Sequence, residues 1–306
     1  MAITLLENFR AVFYAPFYAA AALGAYRSEG VDVDIKASPD AARTMQTLIS
    51  GAGDVSWGGP LRLMEAREKR PAREPIVFCE VVGRDPFFLI GRERNTRFRA
   101  GDLAGKRLAV TTEVPTPWLC LQQDLRLAGV DPASVVLAPS ATMAENAAAL
   151  RSGQVDVIQV FMPLAQELIE SGAGHLWSAA AERGPTAYTS LNTTREFAAA
   201  QPDVLRAMSR AMYRTQKWIA SHDGAALARA IASYFPDVPQ PLLAAAYDRY
   251  LAIGLWNTTP VQSRAGLEWL RDAGLAGGHL AQQHQYEQVV DMRFAEEAVR
   301  ADPPSM

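Results

Sequence analysis

Apolar and polar positions in the first 60 residues switch repeatedly between a period of two and a period near 3.6. ITLLE, residues 3–7, is a short apolar run that predicts a strand. Residues 16–25 read as a helix with Pro16 in its first turn, followed by RSEG. VDVDI, residues 31–35, alternates with period two and predicts a second strand. SPDAARTMQTLISG, residues 38–51, predicts a helix with Ser38 as N-cap and Pro39 as first residue. Met45, Leu48 and Ile49 would share one face, and Gly51 would close the last turn. DVSW then predicts a third strand. Strands alternating with helices imply parallel pairing through right-handed crossovers.

The same grammar restarts near residue 102. DLAGKRLAVT reads as loop and strand, and EVPTPWLCLQQDLRLAG as turn and helix. Here Thr116 is the expected N-cap and Pro117 the first helical residue. Trp118, Leu121, Leu125 and Ala128 lie on one face, and Gly129 ends the helix. VVLAP, TMAENAAALRSG and VDVIQVF continue as strand, helix, strand, and PLAQELIESG is a helix opened by Pro163. Two extended pieces, VVGRDPFFLIGRE and GPTAYTSLNTT, flank this second unit, one leaving and one returning. The second unit would therefore be an insertion: lobe 1 would be residues 1–84 and 187–306, and lobe 2 residues 85–186. Beyond residue 195 the pattern is mainly helical, with Leu205, Met208, Met212 and Ile219 roughly on one face. The final AEEAVRADPPSM is expected to fray.

Composition narrows the function classes. A chain of 306 residues with 49% hydrophobic and 21% charged residues is ordinary for two globular domains. The net charge of −3 provides no basic footprint, so no nucleic-acid partner is expected. No apolar run reaches the length of a membrane-spanning segment. Glu7 and Arg10 interrupt the N-terminal apolar region, which does not read as a secretory signal. The expected location is periplasmic or extracellular if a leader has been removed, and cytoplasmic otherwise. Cys79 and Cys120 both sit in apolar surroundings and read as small hydrophobes; two cysteines make no disulfide framework. No metal-ligand spacing occurs, so no metal site is expected.

Several stretches resemble the family of thiamine-pyrimidine-precursor synthases and alkanesulfonate-type substrate-binding proteins. APFYAAAALGAYRSEGVDVDI is similar to the family's opening helix, glycine and strand, and TLISGAGDVSWGGP to its second helix and first pocket loop. DLAGKRLAV, LRLAGVDPASV and AALRSGQVDV, in that order, resemble its smaller domain. The resemblance implies an α/β fold of the type II periplasmic-binding-protein architecture. Two parallel-rich sheets flanked by helices would be joined by two hinge strands, near residues 83–88 and 185–190, with the ligand in the cleft.

Ligands of open parallel sheets sit beyond the carboxyl ends of the strands. With the implied fold, those loops are residues 7–14, 56–60, 111–117 and 161–163. The candidate ligand contacts are Asn8, Phe9, Arg10, Phe13, Tyr14, Trp57, Gly58, Gly59, Thr111, Thr112, Glu113, Thr116, Phe161 and Tyr188. A flat ring could stack on Trp57 or Tyr14, and exposed backbone N–H groups near Thr116 could hold an anionic or carbonyl oxygen. Arg10 could pair with a carboxylate or sulfonate, or simply be solvated. Trp57 beside Gly58 and Gly59 reads either as a ligand platform or as a core ring under a turn. If the first holds, Trp57→Ala should weaken binding and leave the fold intact.

Three functions remain open. The first is a solute-binding protein that captures a thiamine pyrimidine precursor, a sulfonate or an aromatic carboxylate, with an ABC-transporter permease as possible partner. The second is an enzyme on the same scaffold: a pyrimidine-precursor synthase, a decarboxylase or a desulfinase. The third is a cytosolic ligand sensor. Family synthases use pyridoxal phosphate and a cysteine-rich iron-binding segment, which this chain lacks, and a desulfinase would need a cysteine near residues 7–14. Binding without catalysis is the expectation, with no catalytic residues and no cofactor.

Overall fold

The computed structural model describes residues 2–306. The chain forms two compact units, one running up to Arg84 and resuming at Pro185–Met306, the other being Asp85–Gly184. Each unit is built around one five-stranded mixed sheet.

In the first unit the strands are β1 (Ile3–Glu7), β2 (Val33–Ala37), β3 (Val55–Gly58) and β4 (Pro75–Val82), joined later by β10 (Thr189–Thr194). Their order is β2-β1-β3-β10-β4. In the second unit β5 (Phe88–Gly91), β6 (Arg107–Ala109), β7 (Val136–Leu137), β8 (Val157–Val160) and β9 (His175–Ala179) are ordered β7-β6-β8-β5-β9. The expected parallel pairs are present, β1 with β2 and β3, and β6 with β7 and β8. The two extended pieces that flank the insertion become interior strands: β5 pairs antiparallel with β8 and β9, and β10 pairs antiparallel with β3 and β4. This makes both sheets mixed. Burial explains the composition of β4, β5 and β8, whose residues are all buried and whose apolar runs are nearly continuous rather than alternating, whereas β10 is buried throughout although Leu191 is its one apolar residue.

Two helix starts differ from the sequence expectation. The helix expected from Ser38 begins at Thr44, because the Asp40 carboxylate accepts the Arg43 backbone N–H at 2.8 Å and holds residues 40–43 as a turn. The helix Thr116–Leu127 takes Pro115, not Thr116, at its N-cap position, so Thr116 is the first helical residue and its hydroxyl makes no capping bond. The C-terminus departs further. Residues Arg293–Ala301 form a helix whose Phe294, Ala295 and Ala298 are buried. This helix lies against the helix Pro202–Ala220 and β4, and Lys217 and Arg214 hold the tail by donating to the Pro303 and Pro304 carbonyls at 2.6 and 3.0 Å. The expectation of fraying therefore fails: an amphipathic turn with a buried phenylalanine has a core to join. No helix among the described residues is long and apolar enough to cross a membrane.

Candidate ligand-binding site

In the first unit, the carboxyl end of β1 runs into a 3-10 turn, Val12–Tyr14, and then the helix Ala15–Ala22 with Pro16 in its first turn. Proline there loses no helical hydrogen bond and fixes the entry of the chain. The tight reversal stacks the aromatic residues of this segment on one another. The Phe9 ring lies 6.0 Å from Phe13 and 5.3 Å from Tyr14, and Phe13 and Tyr14 are 4.3 Å apart. Phe13 also meets Tyr188 edge-on at 6.0 Å. Phe9 is half-buried and is the outermost of these rings, whereas Phe13, Tyr14 and Tyr188 are buried.

Polar partners fix this array. The Asn8 amide donates to the Tyr14 hydroxyl at 3.3 Å, and the Thr44 hydroxyl donates to the Asn8 carbonyl oxygen at 3.0 Å. Burial pushes the Tyr14 phenol up to about 12, so it stays protonated at neutral pH. Arg10 is not left to solvent or ligand alone. Its guanidinium donates to both oxygens of the buried Glu7 carboxylate at 2.6 and 2.8 Å and to the Tyr234 carbonyl at 3.0 Å. The Tyr18 hydroxyl also donates to Glu7, at 2.7 Å.

Trp57 lies in β3, one residue before its end, and is completely buried. It stacks on Phe17 at 4.8 Å with nearly parallel rings and meets Tyr14 at 5.9 Å and Tyr18 at 5.6 Å. It forms the floor beneath Tyr14 rather than an accessible surface, and its Nε1–H has no hydrogen-bond partner. The glycines that follow it serve the chain's own packing. A Cβ on Gly59 would lie 3.2 Å from the Tyr188 carbonyl oxygen, which leaves little space for a side chain. The Gly58 carbonyl accepts from the Asn192 amide at 3.3 Å, and Gly59 then caps the helix Pro60–Glu68.

In the second unit, the residues after β6 and β8 take the matching positions at strand ends. The Thr111 hydroxyl donates to the Glu113 carboxylate, whose other oxygen accepts the Met143 N–H at 3.0 Å. The Thr112 N–H donates to the Ala141 carbonyl at 3.2 Å. Glu113 and Thr112 are exposed, Thr116 is half-buried, and Phe161 is buried edge-on against Phe87 at 5.2 Å. The predicted residues thus fall into two groups, Asn8 to Tyr14 with residues 57–59 and Tyr188 in the first unit, and Thr111 to Thr116 with Phe161 in the second.

Three residues of the first group were not anticipated: Glu7, Tyr18 and Thr44. The Glu7–Arg10 pair was readable from its spacing in a turn, and the Tyr18 contact from the helix that follows. Thr44 lies 36 residues from Asn8, and no local pattern connects them. Both cysteine thiols are buried and desolvation pushes them up, so neither is poised as a nucleophile. Among the described residues, no group of three or more His, Cys, Asp and Glu side chains is placed to hold a metal ion.

Two mixed α/β units, one inserted in the other, with aromatic and hydroxyl side chains at the carboxyl ends of parallel strands, define the type II periplasmic-binding-protein fold. The aliphatic-sulphonate-binding protein SsuA of Escherichia coli shares it with a TM-score of 0.73 at 17% identity, over 95% of this chain and 92% of SsuA. The desulfurization enzyme DSZB also shares it, with a TM-score of 0.69 at 16% identity, over 98% of this chain and 100% of that enzyme. Residues 12–226 match the family model described as NMT1/THI5 like, and the chain belongs to that family. In sequence it is 25% identical over 297 residues to YtlA of Bacillus subtilis, by its name a candidate binding protein, covering 96% of this chain and 89% of YtlA.

Proposed function

We propose that this protein is the solute-binding component of an ABC import system and captures a small, flat heteroaromatic solute, such as a pyrimidine precursor of thiamine. The observation that carries the reading is the ring array at the end of β1, where half-buried Phe9 overlies buried Phe13 and Tyr14. A planar ligand would extend this array, and edge or face contacts of that kind add about 0.5–1.5 kcal/mol beyond the buried area. Family membership and the likeness to YtlA support binding. SsuA, by its name, takes an aliphatic sulphonate. A strongly anionic ligand is less well matched here, because Arg10 is already neutralised by Glu7. In the second unit, Thr112, Glu113 and Thr116 are proposed polar contacts, and Phe161 a ring contact. The desulfurization chemistry named for DSZB is disfavoured by the buried, protonated state of both thiols.

The test is a thermal-shift screen of refolded protein with pyrimidine thiamine precursors, alkane- and arylsulfonates, aromatic carboxylates and pyridoxal phosphate. A ligand at 100 times its Kd stabilises by about 2.7 kcal/mol. A pyrimidine hit recovered chemically unchanged supports the proposal. A sulfonate-only response would refute the ring assignment, and a ligand consumed on incubation would refute binding without catalysis.

A further inference from the structure

A separate cavity lies wholly inside the first unit, along the open edge of its sheet. β2 is the edge strand and pairs with β1 so that Val33 stands opposite Ile3, Ile35 opposite Leu5 and Ala37 opposite Glu7. Directly paired residues project to the same side of a sheet, so half-buried Val33 and Ile35 flank the row that ends in Glu7. Gly24, with φ of 74°, follows the helix Ala15–Ala22 and turns the chain into the short helix Ala25–Ser28, which carries Tyr26 and Arg27. Those two residues, with Val33, Ile35, Arg10 and Tyr234, line a cavity of about 320 Å³.

The charges at this cavity are of one sign. Among the described residues its lining contains two arginines and no acid. Arg27 is exposed, and its guanidinium makes no hydrogen bond or ion pair among the described residues. Arg10 directs three of its five N–H groups to Glu7 and the Tyr234 carbonyl, which leaves two unengaged on a side chain that is 47% exposed. The neighbouring acids are occupied or turned away. Glu7 is 3% exposed and covered by Arg10 and Tyr18, and Glu29 is held by Arg210 and Arg214, both at 2.9 Å. Asp34 alternates to the opposite side of β2, where Lys36 lies 3.3 Å away. The uncompensated charge at the cavity is therefore that of Arg27.

We infer that this cavity is a second ligand site, taking a small organic carboxylate. The carboxylate pairs with Arg27, whose planar guanidinium offers it two parallel donors. The apolar body lies on Val33 and Ile35 beside Tyr234, whose ring is 5.5 Å from the Arg10 guanidinium carbon. The two unengaged N–H groups of Arg10 take a further oxygen of the ligand. Because Glu7 neutralises Arg10, this second arginine supplies hydrogen bonds but little net charge, and the site matches one negative charge rather than two. An apolar cavity of about 150 Å³ accommodates a benzene ring, so the larger volume here has room for a single ring and its substituents. The site does not depend on the function proposed above.

The experiment is a titration of the full chain with benzoate, its neutral analogue benzamide and inorganic phosphate, followed by NMR of the arginine Nε–H groups. Benzoate should shift the Arg27 resonance and bind about tenfold more tightly than benzamide, the difference that a charge-assisted pair makes. Phosphate, which has no apolar body, should bind more weakly than benzoate. Arg27→Gln should weaken benzoate binding about tenfold at an unchanged unfolding midpoint, because this side chain holds nothing else in the fold. Ile35→Asp, at a partly exposed position on the edge strand, should abolish binding by placing a negative charge on the floor. The inference is overturned if millimolar benzoate leaves the Arg27 resonance unmoved, if benzamide or phosphate binds as tightly as benzoate, or if Arg27→Gln binds like the parent. Benzoate binding that is lost in Phe9→Ala but kept in Arg27→Gln would belong to the ring array at the end of β1 and would equally overturn it.

Discussion

At the scale of single residues, burial decides what each ring can do. Trp57 is enclosed by Phe17, Tyr14 and Tyr18, so Trp57→Ala deletes the floor of the aromatic array. Truncating a buried aromatic typically costs about 3–5 kcal/mol. The variant should therefore show a large loss in urea unfolding, in place of the intact fold expected for a surface platform; unchanged stability would mean that the indole is not a core group. Phe9 is the cleaner probe of binding, because it is half-buried. Phe9→Ala should lower the affinity of the proposed heteroaromatic ligand at least fivefold with a change in stability near 1 kcal/mol or less, read by calorimetry and by unfolding. Glu80 on β4 makes a prediction of another kind. Its carboxylate accepts from Gln262, Asn257 and, at 3.0 Å, the Ser263 N–H, and no cation faces it among those partners; Tyr286 and Cys79 are its titratable neighbours. Burial outweighs those donors and pushes it up to about 7, from 4.5 for the unperturbed group. The folded chain then holds a proton that the unfolded chain has already released. The resulting stability is complete below about pH 4.5 and is lost as the pH rises through about 7, on the order of 3 kcal/mol in all. Glu80→Gln should flatten this slope in unfolding curves taken from pH 4.5 to 7.5, and an identical slope in the variant would assign it to other groups.

At the scale of elements, local pattern and distant partners contribute differently. β1 and β3 and the helix Thr116–Leu127 are legible because their apolar period, proline entry and terminal glycine agree with one another. The helix Thr44–Ser50 starts late because an Asp40 turn competes for the same residues, a choice that Ser38-Pro39 spacing does not reveal. Strand direction was hidden more deeply. Nothing within TSLNTT or FLIG says that these strands run against their neighbours, since that depends on chain segments more than 100 residues away for β10 and more than 60 away for β8 with β5. The candidate site divides in the same way: its aromatic residues cluster in the sequence and were visible, while the Thr44 and Asn192 contacts come from other elements and were not. Where local signals are reciprocal, they carry measurable energy. Thr142 accepts the Glu145 N–H at 3.3 Å, and the Glu145 carboxylate accepts the Thr142 N–H at 2.8 Å, at the start of the helix Met143–Arg151. Thr142→Ala should cost about 1 kcal/mol, seen as a lower urea midpoint at unchanged slope. A loss below about 0.3 kcal/mol would show that Glu145 caps the helix alone.

At the scale of the whole molecule, the insertion raises the question of whether the second unit depends on its host. All five strands β5 to β9 and their apolar core come from residues 85–184. The two ends of this segment meet: buried Asp85 accepts from Arg183 at 2.8 Å, and Arg183 reaches on to Asp124 in the helix Thr116–Leu127. Gly184, with φ of 103° and ψ of −158°, then turns the chain out through a conformation that side chains rarely adopt. A segment with its own core and adjacent ends meets the physical conditions of an independent domain. Residues 85–184 expressed alone should unfold in one cooperative transition, with a urea slope appropriate to about 100 residues, about 1 kcal/mol/M or slightly above. Arg183→Met in the same fragment leaves Asp85 buried without its cation, and removing one partner of such a pair costs about 3–5 kcal/mol. That is a large share of what a domain of this size possesses, so the variant fragment should be largely unfolded at 25 °C. A parent fragment without a cooperative transition would mean that the host supplies essential structure. A variant fragment as stable as the parent would mean that the ends are held by the β5 pairing and the apolar core, and that the ion cluster contributes little.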